Sequence, residues 1–94
     1  MEEVQIVGGF QDKEITQEDR DLVNNNKDKI NSCCNGNYES FEIVKARYQI
    51  VGGTNYVYHL NAQPGNKKLT VKIFVPLPHT GEAPRVENCQ EGFN

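Results

Sequence analysis

Beyond Asn37, apolar side chains recur at every second position over most of the remaining chain, and a segment written with that period folds as an antiparallel sheet. Residues 38–50 carry Phe41 and Ile43, then Val44, Ala46, Tyr48 and Ile50. The apolar parity changes between Ile43 and Val44, and a β-bulge is the simplest cause. Residues 54–63 place Tyr56, Tyr58, Leu60 and Ala62 on one face. Pairing those even positions with the even positions of the first strand needs an odd number of loop residues. The three-residue turn Val51-Gly52-Gly53, or one shifted by a position, meets that need, because its glycines accept positive φ. Gln63-Pro64-Gly65-Asn66 is a second turn. Residues 69–75 alternate Leu69, Val71, Ile73 and Val75 with Thr70, Lys72 and Phe74, and Pro76-Leu77-Pro78 stops the strand because proline cannot donate to a ladder. A last short strand is predicted over residues 85–90.

The first third is written differently. Residues 1–11 are an extended arm with Val4, Ile6 and Val7 ahead of Gly8-Gly9. Thr16 is a helix N-cap with Asp19 three positions on and Glu18 in the first turn, and Ile15 packs back as a staple. Leu22, Val23, Ile30, Cys33 and Cys34 then follow a helical spacing until Asn35-Gly36-Asn37. Asn24-Asn25-Asn26 weakens this helix, so tertiary packing must hold it. The prediction is an α+β chain: one helix with a meander of four strands, or five if the arm adds an edge. A length of 94 residues makes a single domain over 1–94.

Composition narrows the function. The formal net charge of -3 and the lone basic pair Lys67-Lys68 speak against nucleic acid. No apolar run approaches the roughly 18 residues of a membrane span. Met1-Glu2-Glu3-Val4 lacks the basic and apolar regions of a signal peptide, so with Met1 as the natural start the chain is expected in the cytoplasm. Cys33, Cys34 and Cys89 are odd in number and two are adjacent, which defines no disulfide framework. No CxxC spacing exists and His59 and His79 stand far off in sequence, so no metal and no cofactor are expected. Thiols in a reduced, structural or surface role fit a reducing compartment.

Three separated segments carry a resemblance. Val7-Gly8-Gly9 is similar to the N-terminal glycine of the cystatin superfamily, with its preceding apolar residue. Gln49-Ile50-Val51-Gly52-Gly53 matches the family's first-hairpin pattern Gln-x-Val-x-Gly and continues as Thr54-Asn55-Tyr56. Leu77-Pro78-His79 resembles the second hairpin loop of the stefin branch, the single-domain members without disulfides. Any one of these is weak; jointly, in the family's order, they are specific. Pro76 stands where stefins usually carry a small polar residue, and the sequence runs only four residues past Cys89-Gln90, so a contact made by a longer polar tail is expected to be reduced.

The resemblance implies the cystatin fold, an antiparallel four- to five-stranded sheet wrapped around one α-helix. It also implies a reversible, tight-binding competitive inhibitor of papain-like cysteine proteases such as cathepsins. Ile6, Val7, Gly8 and Gly9 of the arm, Gln49, Ile50, Val51, Gly52 and Gly53 of the first loop, and Leu77, Pro78 and His79 of the second would form a wedge entering the active-site cleft. Val7 would fill the apolar second subsite with Ile6 one subsite further out. Gly8 would lie near the catalytic thiol, where a missing side chain lets the backbone turn away uncleaved. Gln49 is expected to shape its loop by hydrogen bonding. A monomer is expected, and the short Val51-Gly52-Gly53 hinge permits a domain-swapped dimer.

Bland readings compete at each position. Gly52-Gly53 serves any tight hairpin, Pro76 and Pro78 end any edge strand, and Val4, Ile6 and Val7 suit an ordinary edge. Three rival functions compete with inhibition of papain-like proteases. A thiol enzyme would pair Cys33, Cys34 or Cys89 with His59 or His79, but a helix C-terminus is the wrong end to activate a thiol. A cystatin-fold binding module for a non-protease partner keeps the fold and drops inhibition. Legumain inhibition would use Asn35 and Asn37 after the helix, a site stefins generally lack.

Overall fold

The computed structural model describes residues 9–94; what was read on Val4, Ile6, Val7 and Gly8 lies outside the described residues. Five strands form one antiparallel meander in the order β1 (Gln11–Lys13), β2 (Ser40–Ile50), β3 (Gly53–Gln63), β4 (Lys67–Pro76) and β5 (Arg85–Glu91). The fifth strand is real, yet it is built from Gln11–Lys13, where the arm reading ends, and it pairs with β2 through Gln11↔Tyr48 and Lys13↔Ala46. The expected bulge is present: Ile43 pairs with Leu60 and Lys45 with His59, leaving Val44 as the extra residue. Val44 is therefore exposed and does not join the inner face with Ala46.

The helix is broken in two, α1 (Gln17–Asn25) and α2 (Lys27–Cys34), and this corrects the expectation of one helix. The break is at Asn26, the last of the asparagine run. Its side-chain Nδ2 donates to the Leu22 carbonyl, 2.8 Å away, an acceptor its own backbone N–H would otherwise take. That N–H turns to Val23 O instead, at 3.2 Å. Asparagine competes with the backbone in this way inside helices, and here the side chain is buried while it does so. The ends match expectation: Thr16 and Asp19 form a reciprocal capping box, and Asn35 ends α2 in the left-handed region at φ 56°.

α1 packs on β2 and α2 on β5, so the broken helix crosses the inner face of the sheet. The core between them is Val23 and Ile30 from the helices with Phe41, Ala46, Tyr58, Leu60, Ala62, Leu69, Val71 and Ile73 from the strands. Alternation selects these strand residues, and the Val44 bulge resets the phase so that Phe41 and Ala46 both face inward. On the outer face Phe93 stacks on His59 at 4.6 Å, and the Lys68 ammonium lies 5.7 Å from the Phe93 ring.

A buried carboxylate sits against the core. Asp19 accepts from the Tyr58 hydroxyl at 2.7 Å, from the Thr16 backbone N–H at 2.9 Å, from the Thr16 hydroxyl and from Lys13. The network ties β1, the cap of α1 and the centre of β3 together.

Candidate protease-binding edge

The register of the sheet brings Gly9 and the two predicted loops to one end. β1 enters at Gln11↔Tyr48, which places Gly9 beside Gln49 near the tip of the first hairpin. Ile50 pairs with Thr54, so Val51-Gly52-Gly53 is the loop, as the parity argument required. Gly53 pairs across with Pro76, which sets the first loop directly against the start of the second. The site is thus assembled by antiparallel pairing alone.

Gln49 holds two of these parts. Its Oε1 accepts from Asn55 Nδ2 at 3.0 Å, in line with its expected loop-shaping role. Its amide end occupies the space that a side chain at position 9 would need, so Gly9 fits there for want of a Cβ. Asn55, which the sequence shows only as part of the motif's continuation, is buried directly opposite Gln49 in the register, and its bracing role there was not read from the sequence. The signal was present, since a three-residue turn between residues 50 and 54 makes 49 and 55 a cross-strand pair.

The two glycines of the first loop differ. Gly52 sits at φ 58° with open space around it, so it supplies backbone conformation only. Gly53 sits at φ 133°, and a Cβ there would fall 2.6 Å from the Phe74 ring and 2.8 Å from the Val75 carbonyl. A Gly53→Ala variant is therefore expected to lose about 3 kcal/mol of stability through strain and clash, against about 1 kcal/mol for Gly52→Ala, in paired urea titrations. Equal losses would show that the hairpin tip rearranges freely.

The second loop is braced from within. Leu77 is followed by a 3-10 turn, Pro78–Thr80, and its carbonyl accepts both from Thr80 N at 3.1 Å and from Thr80 Oγ1 at 2.8 Å. Thr80 was also missed in the sequence, although a hydroxyl three residues after a turn start is a common backbone brace. Pro78 and His79 lie exposed on this turn.

The edge is apolar and open. Ile50 is 69% exposed, Val51 44% and Leu77 41%, in a chain whose other inward-phased aliphatics are largely buried. No charged residue lies within Gln49 to Gly53 or within Pro76 to Thr80. The edge therefore presents shape and apolar area, with backbone groups close to the surface. Of the other candidate side chains, His59 stacks on Phe93 on the outer face and His79 lies on the second loop, while Cys89 packs against the core.

Comparison with known proteins agrees with this frame. The chain is 32% identical over 78 residues to the leukocyte cysteine proteinase inhibitor 1 of Sus scrofa, covering 82% of this chain and 75% of that protein. It is 33% identical over 78 residues to human cystatin-A, covering 82% and 79%, and 30% identical over 74 residues to cystatin-A of Felis catus, covering 78% and 74%. No family model matches the chain. A five-stranded antiparallel meander crossed by a broken helix is the α+β architecture of a cystatin. The chain belongs to the cystatin superfamily, in its stefin branch.

Proposed function

We propose that this chain is a reversible, tight-binding competitive inhibitor of papain-like cysteine proteases, cathepsins among them. It acts through Ile6, Val7, Gly8 and Gly9 of the arm, Gln49 to Gly53 of the first loop, and Leu77, Pro78 and His79 of the second. The observation that carries the reading is the exposure of Ile50, Val51 and Leu77 at the one end of the sheet where Gly9 also lies. The name of its porcine relative, a cysteine proteinase inhibitor, supports the same reading.

The physical logic is a wedge that fills a cleft without offering a bond to cut. Burying one of these aliphatic side chains in the cleft contributes roughly 1.5–3 kcal/mol, or about one to two decades in affinity. The loops are ordered before binding: Thr80 braces Leu77, and Gln49 and Asn55 brace the first hairpin, so little conformational entropy remains to be lost. Glycine at position 8 would let the arm pass the catalytic thiol with no carbonyl held in line. The reading is of a monomer, one domain, free of metal and cofactor, working in the cytoplasm, and the short first-loop hinge leaves a domain-swapped dimer open to it.

The test is a titration into active papain with a fluorogenic peptide substrate. Nanomolar, reversible inhibition is expected, weakened about a hundredfold when residues 1–7 are removed. No inhibition at micromolar concentration would favour a cystatin-fold module that binds a non-protease partner.

A further inference from the structure

The adjacent pair Cys33-Cys34 and the distant Cys89 are brought together where α2 meets β5. β5 carries its own bulge: Lys72 pairs with Asn88 and Ile73 with Val86, so Glu87 is an extra residue. Val86 and Cys89 stand three positions apart and would face opposite sides of a regular strand. The bulge lets both pack against the core, and it turns the Cys89 thiol under the helix. α2 packs on β5 and ends in Cys33 and Cys34. Cys34 packs against the same core as Cys89, and Cys33 is exposed, lining a groove with Ser32, Pro84 and Val86. Burial pushes the Cys89 thiol up, and the adjoining Cys34 and Cys33 thiols push it further.

We propose that Cys89 and the cysteine pair ending α2 form a reversible intramolecular disulfide site, with Cys33 the solvent-exposed point of entry and Cys34 the final partner of Cys89. The oxidant is a low-molecular-weight disulfide of the glutathione class. The Cys33 thiolate attacks one of its sulfurs, the reagent's S–S bond breaks, and one small thiolate leaves. Cys89 releases its proton to solvent and attacks Cys33 Sγ, expelling the second small thiolate and joining Cys33 to Cys89. Cys34 gives up its proton and attacks the Cys89 sulfur, and the Cys33–Cys89 bond breaks. Cys33 leaves as a thiolate that takes up a proton, so the bridge moves inward to Cys34–Cys89. Two protein thiols are oxidised and the reagent is reduced to two small thiols.

The bridge would fasten the edge strand β5 to the helix. It lies opposite Val71 in mid-strand, away from the loop end of β4 at Pro76, so papain inhibition is expected to be the same in both redox forms. The stability is not: closing so long a loop should raise Tm by about 10 °C or more.

The experiment incubates the full chain with oxidised glutathione and follows intact mass, a non-reducing peptide map and thermal unfolding. Support is the loss of two hydrogens per chain, a peptide joining Cys89 to the Cys33-Cys34 segment, a raised Tm, and reversal by reduced glutathione. A Cys33-Cys34 bridge, a persistent glutathione adduct or a Cys33-linked dimer would overturn the proposal. Cys89→Ala should halt at the mixed disulfide; if that variant loses two hydrogens as readily, the proposal also fails. Because the peptide map is read on the unaltered chain, the result does not depend on how well the variant folds.

Discussion

Replacing Val51 and Leu77 together by aspartate is expected to weaken papain inhibition by roughly two to four decades while leaving the fold intact. Both side chains are substantially exposed and neither belongs to the core cluster, so each change alone should alter stability by no more than about 0.5 kcal/mol. In a cleft the same changes would replace an apolar contact with a carboxylate that must shed its water, and this adds to the lost burial. The single variants should each account for one to two decades, and departure from their product would measure coupling between loops joined at Gly53↔Pro76. The readout is an inhibition constant beside a thermal melt. An unchanged inhibition constant in a folded double variant would remove both loops from the interface.

A loss of stability as large as that at Gly53 is expected from Asp19→Ala, roughly 3 kcal/mol and about 10–20 °C in Tm. The change would strand the fully buried Tyr58 hydroxyl, undo the capping box with Thr16 and free Lys13. Burial alone would push the Asp19 carboxyl up. The hydrogen bonds from Lys13, Tyr58 and Thr16 outweigh it and hold the carboxyl below its ordinary value of 3.8. A group depressed on folding stabilises the native state above its unfolded range and ceases to do so as pH falls through its folded value. Acid should therefore destabilise the chain at the low end, where Asp19 is forced to take a proton. Asp19→Asn, which carries no titrating proton, should flatten that acid limb. Urea midpoints against pH for the two variants and the parent would show it; an acid limb unaltered in Asp19→Asn would assign it to other carboxylates.

The same residue shows how far the sequence could be read. Thr16 with Asp19 marked the helix start, because a cap is a local device written in four residues. That Asp19 also reaches Tyr58 was not visible, since 39 positions separate the two and only the pairing of helix on sheet closes the gap. Likewise the parity change at Ile43 and Val44 exposed the first bulge, whereas the bulge at Glu87 was hidden: β5 holds too few apolar residues for a break in phase to register. The asparagine run warned of a weak helix, but whether it would fray or break depended on Asn26 being buried and back-bonding Leu22. At the edge, Gln49 to Gly53 and Leu77 to His79 were legible as motifs, while the bracing by Asn55 and Thr80, which hold those loops in place, was not.

The sequence by itself determined the α+β class, the strand phases, the three-residue turn and the helix cap. Each of these follows from short-range chemistry: side-chain period, glycine and proline conformation, and hydrogen bonds within a turn. Tertiary structure alone decided that Gly53 is a packing residue while Gly52 is a conformational one, that Gly9 abuts Gln49, and that Cys89 meets the cysteine pair ending α2. Those facts depend on distances between elements remote in the chain, and only the antiparallel register and the crossing of the helix over the sheet set such distances.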